Sequence, residues 1–209
     1  TPALAALCAT GASTLLFYDN LRIGMGRFIG QGELLYALSM PAFAWHWSML
    51  PLLVIAAGAM ARQAGLGWAK NRLVMGAFCV AAVLLSALDI PSIFSMQLHP
   101  ACLADTLRYS TRVTTAQLCP GSELIISTGP GPLVAILVNI VVLVVGIALW
   151  IQRDWPWLTV GAGLMFIAAG AFASSVWSLP IANFGEICFT LGCISTAAHF
   201  ARQDLQRRL

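Results

Sequence analysis

The run LVAILVNIVVLVVGIALW, residues 133–150, holds no charged residue and shows no alternation of polarity. Eighteen uncharged residues in succession, apolar but for Asn139, satisfy their backbone groups in lipid only as a helix, because every N–H and C=O is then bonded within the segment. A transmembrane β-barrel needs alternating polarity along each strand, and the run has none. The same character recurs along the chain: 59% of the 209 residues are hydrophobic and only 9% are charged. A water-soluble domain has no interior large enough to hide so much apolar surface. The expected fold is therefore all-α, a polytopic membrane helical bundle in one domain, 1–209.

At about 20 residues per crossing, the apolar segments predict about six transmembrane helices. They fall at residues 2–18, 34–61, 73–97, 132–151, 155–179 and 181–201. The first could be confused with a secretory signal, but it lacks a basic leading region and a clear cleavage pattern, and a short first span is expected. Pro41 and Pro51 are expected to break the second span, and Pro91 lies near the end of the third.

Basic residues set the orientation. With both termini cytoplasmic, seven (Arg62, Lys70, Arg72, Arg153, Arg202, Arg207, Arg208) fall inside and four (Arg22, Arg27, Arg108, Arg112) outside. That bias satisfies the positive-inside rule. The expected location is a bacterial inner (plasma) membrane. The outer charges are balanced, Arg22 and Arg27 by Asp19 and Glu33, Arg108 and Arg112 by Asp105 and Glu123. The basic residues do not cluster, so the net charge of +3 is no nucleic-acid footprint.

Cysteine usage agrees with that orientation. Cys102 and Cys119 occupy the long polar segment 98–131, whereas Cys8, Cys79, Cys188 and Cys193 lie in apolar spans. A Cys102–Cys119 disulfide, formed in an oxidising compartment, is expected to pin this outer loop over the mouth of the bundle. A redox-active pair exchanging electrons with a quinone is the alternative, although no C-x-x-C accompanies it. Within the loop, TLRYSTRVTT fits either a strand or a short amphipathic helix, since periodicity cannot arbitrate over so few residues.

Small residues mark expected helix contacts: Gly161, Gly163, Ala169, Gly170, Ala173 and Ser174 in the fifth span, and Ala5, Cys8, Ala9, Gly11 and Ala12 in the first. The fourth span, rich in Val, Leu and Ile, is expected to face lipid. Trp68, Trp150, Trp155, Trp157 and Trp177 suit an interfacial belt.

Two carboxylates stand out because they lie in apolar runs, Asp89 in LLSALDIPSIF and Glu186 in ANFGEICFTLGC. An ionisable group in hydrocarbon costs a few kcal/mol or more, so each should face protein or water. Counting about 1.5 Å per residue places Asp89 roughly 12 Å below the outer surface, Asn139 roughly 11 Å, Glu186 roughly 8 Å and His46 roughly 18 Å. Asn183, one turn before Glu186, shares its face, and Ser86 does the same for Asp89. Together they predict an outward polar pocket lined by the second, third and sixth spans, with a contribution from the fourth. For each acid, the structural alternative is a hydrogen bond to a neighbouring helix.

The histidines do not predict a haem site, because His46 is near midplane and His199 near the cytoplasmic end. No metal site is predicted, and no cofactor is called for, with haem and quinone left open. Nucleophile-elbow, zincin, Walker and dinucleotide-binding patterns are all absent from the sequence. Three functions from different classes follow. A small transport or channel protein, with proton linkage, using Asp89, Glu186, His46, Asn139 and Asn183 as the site for a solute, ion or proton, is favoured over an enzyme. The others are a non-catalytic subunit packed against partner membrane subunits, and a membrane enzyme or redox protein acting on a lipid, quinone or haem.

Overall fold

A computed structural model describes residues 2–103, 105–120, 127–128, 132–171 and 177–206. Among the described residues the chain forms seven α-helices and four short strands. The helices are α1 (Pro2–Ile29), α2 (Glu33–Met49), α3 (Leu52–Gln63), α4 (Arg72–Phe94), α5 (Leu133–Arg153), α6 (Trp157–Ala171) and α7 (Ser178–Gln206). Between α4 and α5 lie β1 (His99–Leu103), β2 (Thr106–Ser110), β3 (Arg112–Val113) and β4 (Ser127–Thr128). The fold is all-α, with a small β cap at one end of the bundle.

Among the described residues, α4, α5 and α7 are each long and apolar enough to cross a membrane, and α2 with α3 make a fourth crossing if the bent pair counts as one span. α6 is shorter, and part of the expected 155–179 span, including Ala173 and Ser174, lies outside the described residues. Large apolar side chains stand exposed along the bundle, among them Phe17, Val83, Phe94, Val144, Ile167 and Leu191. This is the surface of an integral membrane protein, since water would not tolerate so extensive an apolar exterior.

The first helix departs from expectation. Instead of stopping at residue 18, α1 continues through the polar stretch to Ile29 and ends at Gly30, whose φ of 81° suits the left-handed residue that closes a helix. The physical reason is that its polar side chains are satisfied without unwinding the backbone: Arg22 pairs with Asp19, and Asn20 donates to the Leu16 carbonyl at 2.9 Å. With no proline between Tyr18 and Ile29, adding residues to an existing helix is easier than nucleating a new element. At 28 residues the helix is about 42 Å long, more than the hydrocarbon thickness, so one end reaches the cap.

Of the two prolines expected to break the second span, only Pro51 does so. Pro41 stays inside α2, whereas α2 and α3 meet at 44° across Leu50 and Pro51. α3 then runs through the centre of the bundle, with Leu53, Val54, Met60 and the alanines between them buried. Gly58 faces the Phe78 ring at a spacing that leaves no room for a Cβ.

α5 corrects a second expectation. It does not simply face lipid: Val134, Val138, Asn139, Val142, Val145, Gly146 and Leu149 form one buried stripe at helical spacing, opposite exposed Leu133, Ile136, Ile140, Val144 and Ile147. The uniformly apolar sequence hides this stripe, because the lipid-facing and protein-facing sides use the same residue types. The helix most open to lipid is α4, where only Ala82 is buried among the described residues.

Small residues set the α6–α7 and α1 contacts. A Cβ on Gly161 would meet the Cys188 carbonyl at 2.6 Å, and one on Gly192 the Trp157 carbonyl at 2.8 Å. Ala5, Cys8, Ala9 and Ala12 of α1 are buried, whereas Gly163, Gly170 and Gly11 meet open space.

The cap is a hairpin in which β1 and β2 pair antiparallel, His99 opposite Ser110 and Leu103 opposite Thr106; β3 and β4 pair Arg112 with Thr128. TLRYSTRVTT is thus mainly strand. Its turn carries Asp105 at φ 58°, a conformation that Asp tolerates better than most side chains. Cys102 and Cys119 form the disulfide. Residues 129–131 lie outside the described residues, and Pro132 occupies the N-cap position of α5.

Candidate functional site

The polar heart of the bundle is built from four positions on α1. Tyr18 and Arg22, one turn apart, point to the same side, while Asn20 points nearly opposite. Tyr18 donates to the Leu38 carbonyl of α2 at 2.8 Å. Arg22 is buried and gives Asp19 two hydrogen bonds, at 3.1 Å from Nε and 2.6 Å from Nη2. Its Nη1 reaches Ser39 Oγ of α2 at 3.0 Å and the Tyr109 carbonyl of β2 at 3.3 Å. The Phe43 ring lies 5.5 Å from the guanidinium carbon. On the other side, Asn20 Nδ2 donates to Glu186 Oε2 of α7 at 2.8 Å. One turn of α1 therefore ties together α2, the cap and α7.

Under the cap is a cavity of about 220 Å³ lined by charged Asp19, Arg22, Asp89, Arg108 and Arg112, by His46, and by an apolar wall that includes Phe43, Trp47 and Ala135. Asp89 and His46, nominated from sequence, thus meet in one cavity. Asp19, Arg22, Arg108 and Arg112 were not nominated. Their signal was present in part: the D-x-x-R spacing of Asp19 and Arg22 places both on one helix face, provided α1 continues past Tyr18.

Within this cavity, charge compensation is incomplete. Arg22 and Asp19 neutralise one another, but Asp89, Arg108 and Arg112 have no side-chain hydrogen bond or ion pair among the described residues. Arg108 Nε is closed off from solvent without an acceptor among the described residues. Burial pushes the Arg108 guanidinium below its ordinary pKa, Arg22 pushes the same way by like charge, and Asp19 opposes them. Arg108 does not pair with Asp105, and Glu123, the other expected balance, lies outside the described residues.

The remaining nominated residues sit elsewhere. Glu186 lines a groove of about 300 Å³ between α1 and α7, with Ser13, Asn20 and Thr190 as its polar members and Phe17, Leu21, Ile187 and Leu191 as apolar walls. Asn183 is half-buried one turn before it. The shared pocket expected for Asp89 and Glu186 is thereby divided. The neighbouring residues Asp19 and Asn20 of α1 belong one to each, Asp19 to the capped cavity and Asn20 to the α1–α7 groove. Asn139 donates from Nδ2 to the Ala162 carbonyl at 3.2 Å and lines a third cavity, between α5 and α6, which shares Pro132 and Ala135 with the capped one.

His199 is far from His46 in the chain and stacks on Trp155 with ring centroids 3.8 Å apart. Among the described residues, no three His, Cys, Asp or Glu side chains converge as metal ligands. The fold and cavity together define a helical membrane bundle with a capped polar chamber. Comparison with known proteins adds no identity: no family model, no curated protein and no solved structure matches this chain.

Proposed function

We propose that this chain is a small membrane transport or channel protein whose solute site is the capped cavity. The observation that carries the reading is the presence of Asp89 and Arg108, opposite in sign and without partners among the described residues, in one cavity of a bundle whose exterior is largely apolar. Charges held this way cost stability, and a passive anchor gains nothing from them. In this reading the chain crosses the membrane six times, by α1, the bent α2–α3 pair, α4, α5, α6 and α7, with both termini cytoplasmic in a bacterial inner membrane. The cap then faces outward. Proton linkage falls to Glu186, which accepts a hydrogen bond from Asn20.

Osmotic swelling tests this directly. Proteoliposomes placed in isosmotic L-alanine, glycerol, or potassium propionate with valinomycin should swell faster than protein-free liposomes in at least one medium. Asp89→Asn should return that rate to the protein-free value while reconstituting normally. Wild-type swelling at the protein-free rate in all three media sinks the transport reading.

A second reading rests on α4. Its exposed Leu73, Val83, Leu84, Leu88 and Phe94, with only Ala82 buried among the described residues, leave a broad face for a partner membrane subunit. Native mass spectrometry from gently solubilised membranes distinguishes the two: a stoichiometric partner supports the subunit reading, and a chain released alone counts against it.

A further inference from the structure

We infer that the capped cavity takes a small zwitterion, its carboxylate held by Arg108 with Arg112 and its ammonium by Asp89. The site is that of the transport proposal, and the inference rests on that reading for its location. Three cations and two carboxylates line the cavity, and their pairing is uneven. Arg22 has its donors engaged by Asp19, Ser39 and the Tyr109 carbonyl, so it holds the wall together and offers little to a ligand. Subtracting that pair leaves, in the lining, two guanidinium groups on the cap, of which Arg112 is exposed, and one carboxylate on α4.

Each leftover group asks for a different partner. Arg108 Nε, buried and without an acceptor, is completed by an anionic oxygen, and a planar guanidinium holds a carboxylate best through two parallel hydrogen bonds. Asp89, half-buried close to Pro91 and without a donor among the described residues, is completed by a cation. A simple carboxylate would serve the arginines and leave Asp89 bare. A simple amine would serve Asp89 and leave Arg108 bare, a penalty that specificity of this kind exploits. One molecule carrying both charges satisfies both ends.

The cavity's dimensions and walls narrow the class. At about 220 Å³ it is below the usual range for drug-sized ligands, so it fits a solute of few heavy atoms. Phe43, Trp47 and Ala135 give it an apolar side against which a short aliphatic substituent can rest. A small neutral amino acid has this combination of features.

Binding to the detergent-purified full chain, measured by calorimetry, tests the inference without requiring flux. L-alanine and β-alanine, with their charges on neighbouring and next-neighbouring carbons, are compared with propionate and ethylamine. At least one amino acid should bind about ten-fold or more tightly than either single-charge compound. Asp89→Asn should reduce that binding to the level of propionate while leaving propionate itself unaffected. Arg108→Gln should abolish binding of the amino acid and of propionate; if that variant does not fold, the Asp89→Asn comparison decides. Propionate binding as tightly as the amino acids overturns the inference in favour of an anion site, and absence of saturable amino-acid binding overturns it outright. Swelling in glycerol or propionate without amino-acid binding leaves transport standing and removes the zwitterion. Amino-acid binding without any swelling does the reverse.

Discussion

Arg22, on the first helix, donates to the backbone carbonyl of Tyr109 in the cap at 3.3 Å while it is paired with Asp19 at 2.6 Å. A single buried guanidinium thereby couples the position of the β cap to the helix that lines both polar grooves. The pair is desolvated, with Arg22 3% and Asp19 18% exposed, so removing one partner leaves the other charge uncompensated.

Replacing Arg22 by Gln should therefore lower stability by about 3 kcal/mol or more, the cost typical of breaking a buried ion pair. Adding Asp19→Asn should recover part of that loss, because the orphaned carboxylate is removed as well. Thermal unfolding of the four members of the cycle in detergent measures it; strict additivity would show that the pair is not coupled.

Asn20→Ala should leave the Glu186 carboxylate without its 2.8 Å donor and cost about 1–3 kcal/mol. Glu186→Gln, which keeps a side chain able to bond to Asn20, should cost less. Equal unfolding temperatures for wild type and Asn20→Ala would mean that the contact carries no stability.

Breaking the disulfide with Cys102→Ser and Cys119→Ser should reduce stability by about 3 kcal/mol in the chain-entropy account of a loop of this size. The same decrease should follow reduction of the wild type, and reductant should not affect the double variant. Unfolding curves with and without reductant check both.

Gly26→Ala should displace the cap from α1, because a Cβ there runs into the Leu107 carbonyl of β2. A backbone oxygen cannot step aside as a flexible side chain does, so a cost of about 1–3 kcal/mol is expected. Gly24→Ala, which meets nothing within 4 Å, is the control and should be neutral or slightly stabilising through its higher helix propensity. Greater protease sensitivity in the cap of Gly26→Ala, and none in Gly24→Ala, would identify the site of the damage.

How much of this was legible from residues alone differs with the range of the interaction. The α4, α5 and α7 segments could be placed within a few residues, because hydropathy along a helix is a local quantity. Cys102 and Cys119 could be paired because the other four cysteines lie in apolar spans. Asp89, His46 and Glu186 could be nominated because a polar group in an apolar run is conspicuous wherever it points.

The grouping of those residues needed the tertiary structure. Asp89 lines the capped cavity and Glu186 the α1–α7 groove because the rotation of each helix is set by its neighbours, and small residues such as Gly161 and Gly192 determine how close those neighbours come. Asp19 and Arg22 look like ordinary loop charges until α1 is seen to continue through them, and Arg108 looks balanced until its surroundings are known. By itself the sequence determined that this chain is a bundle of apolar helices carrying a few costly charges. Only the packing decided which of those charges meet, since that depends on contacts between segments as distant in the chain as Arg22 and Tyr109.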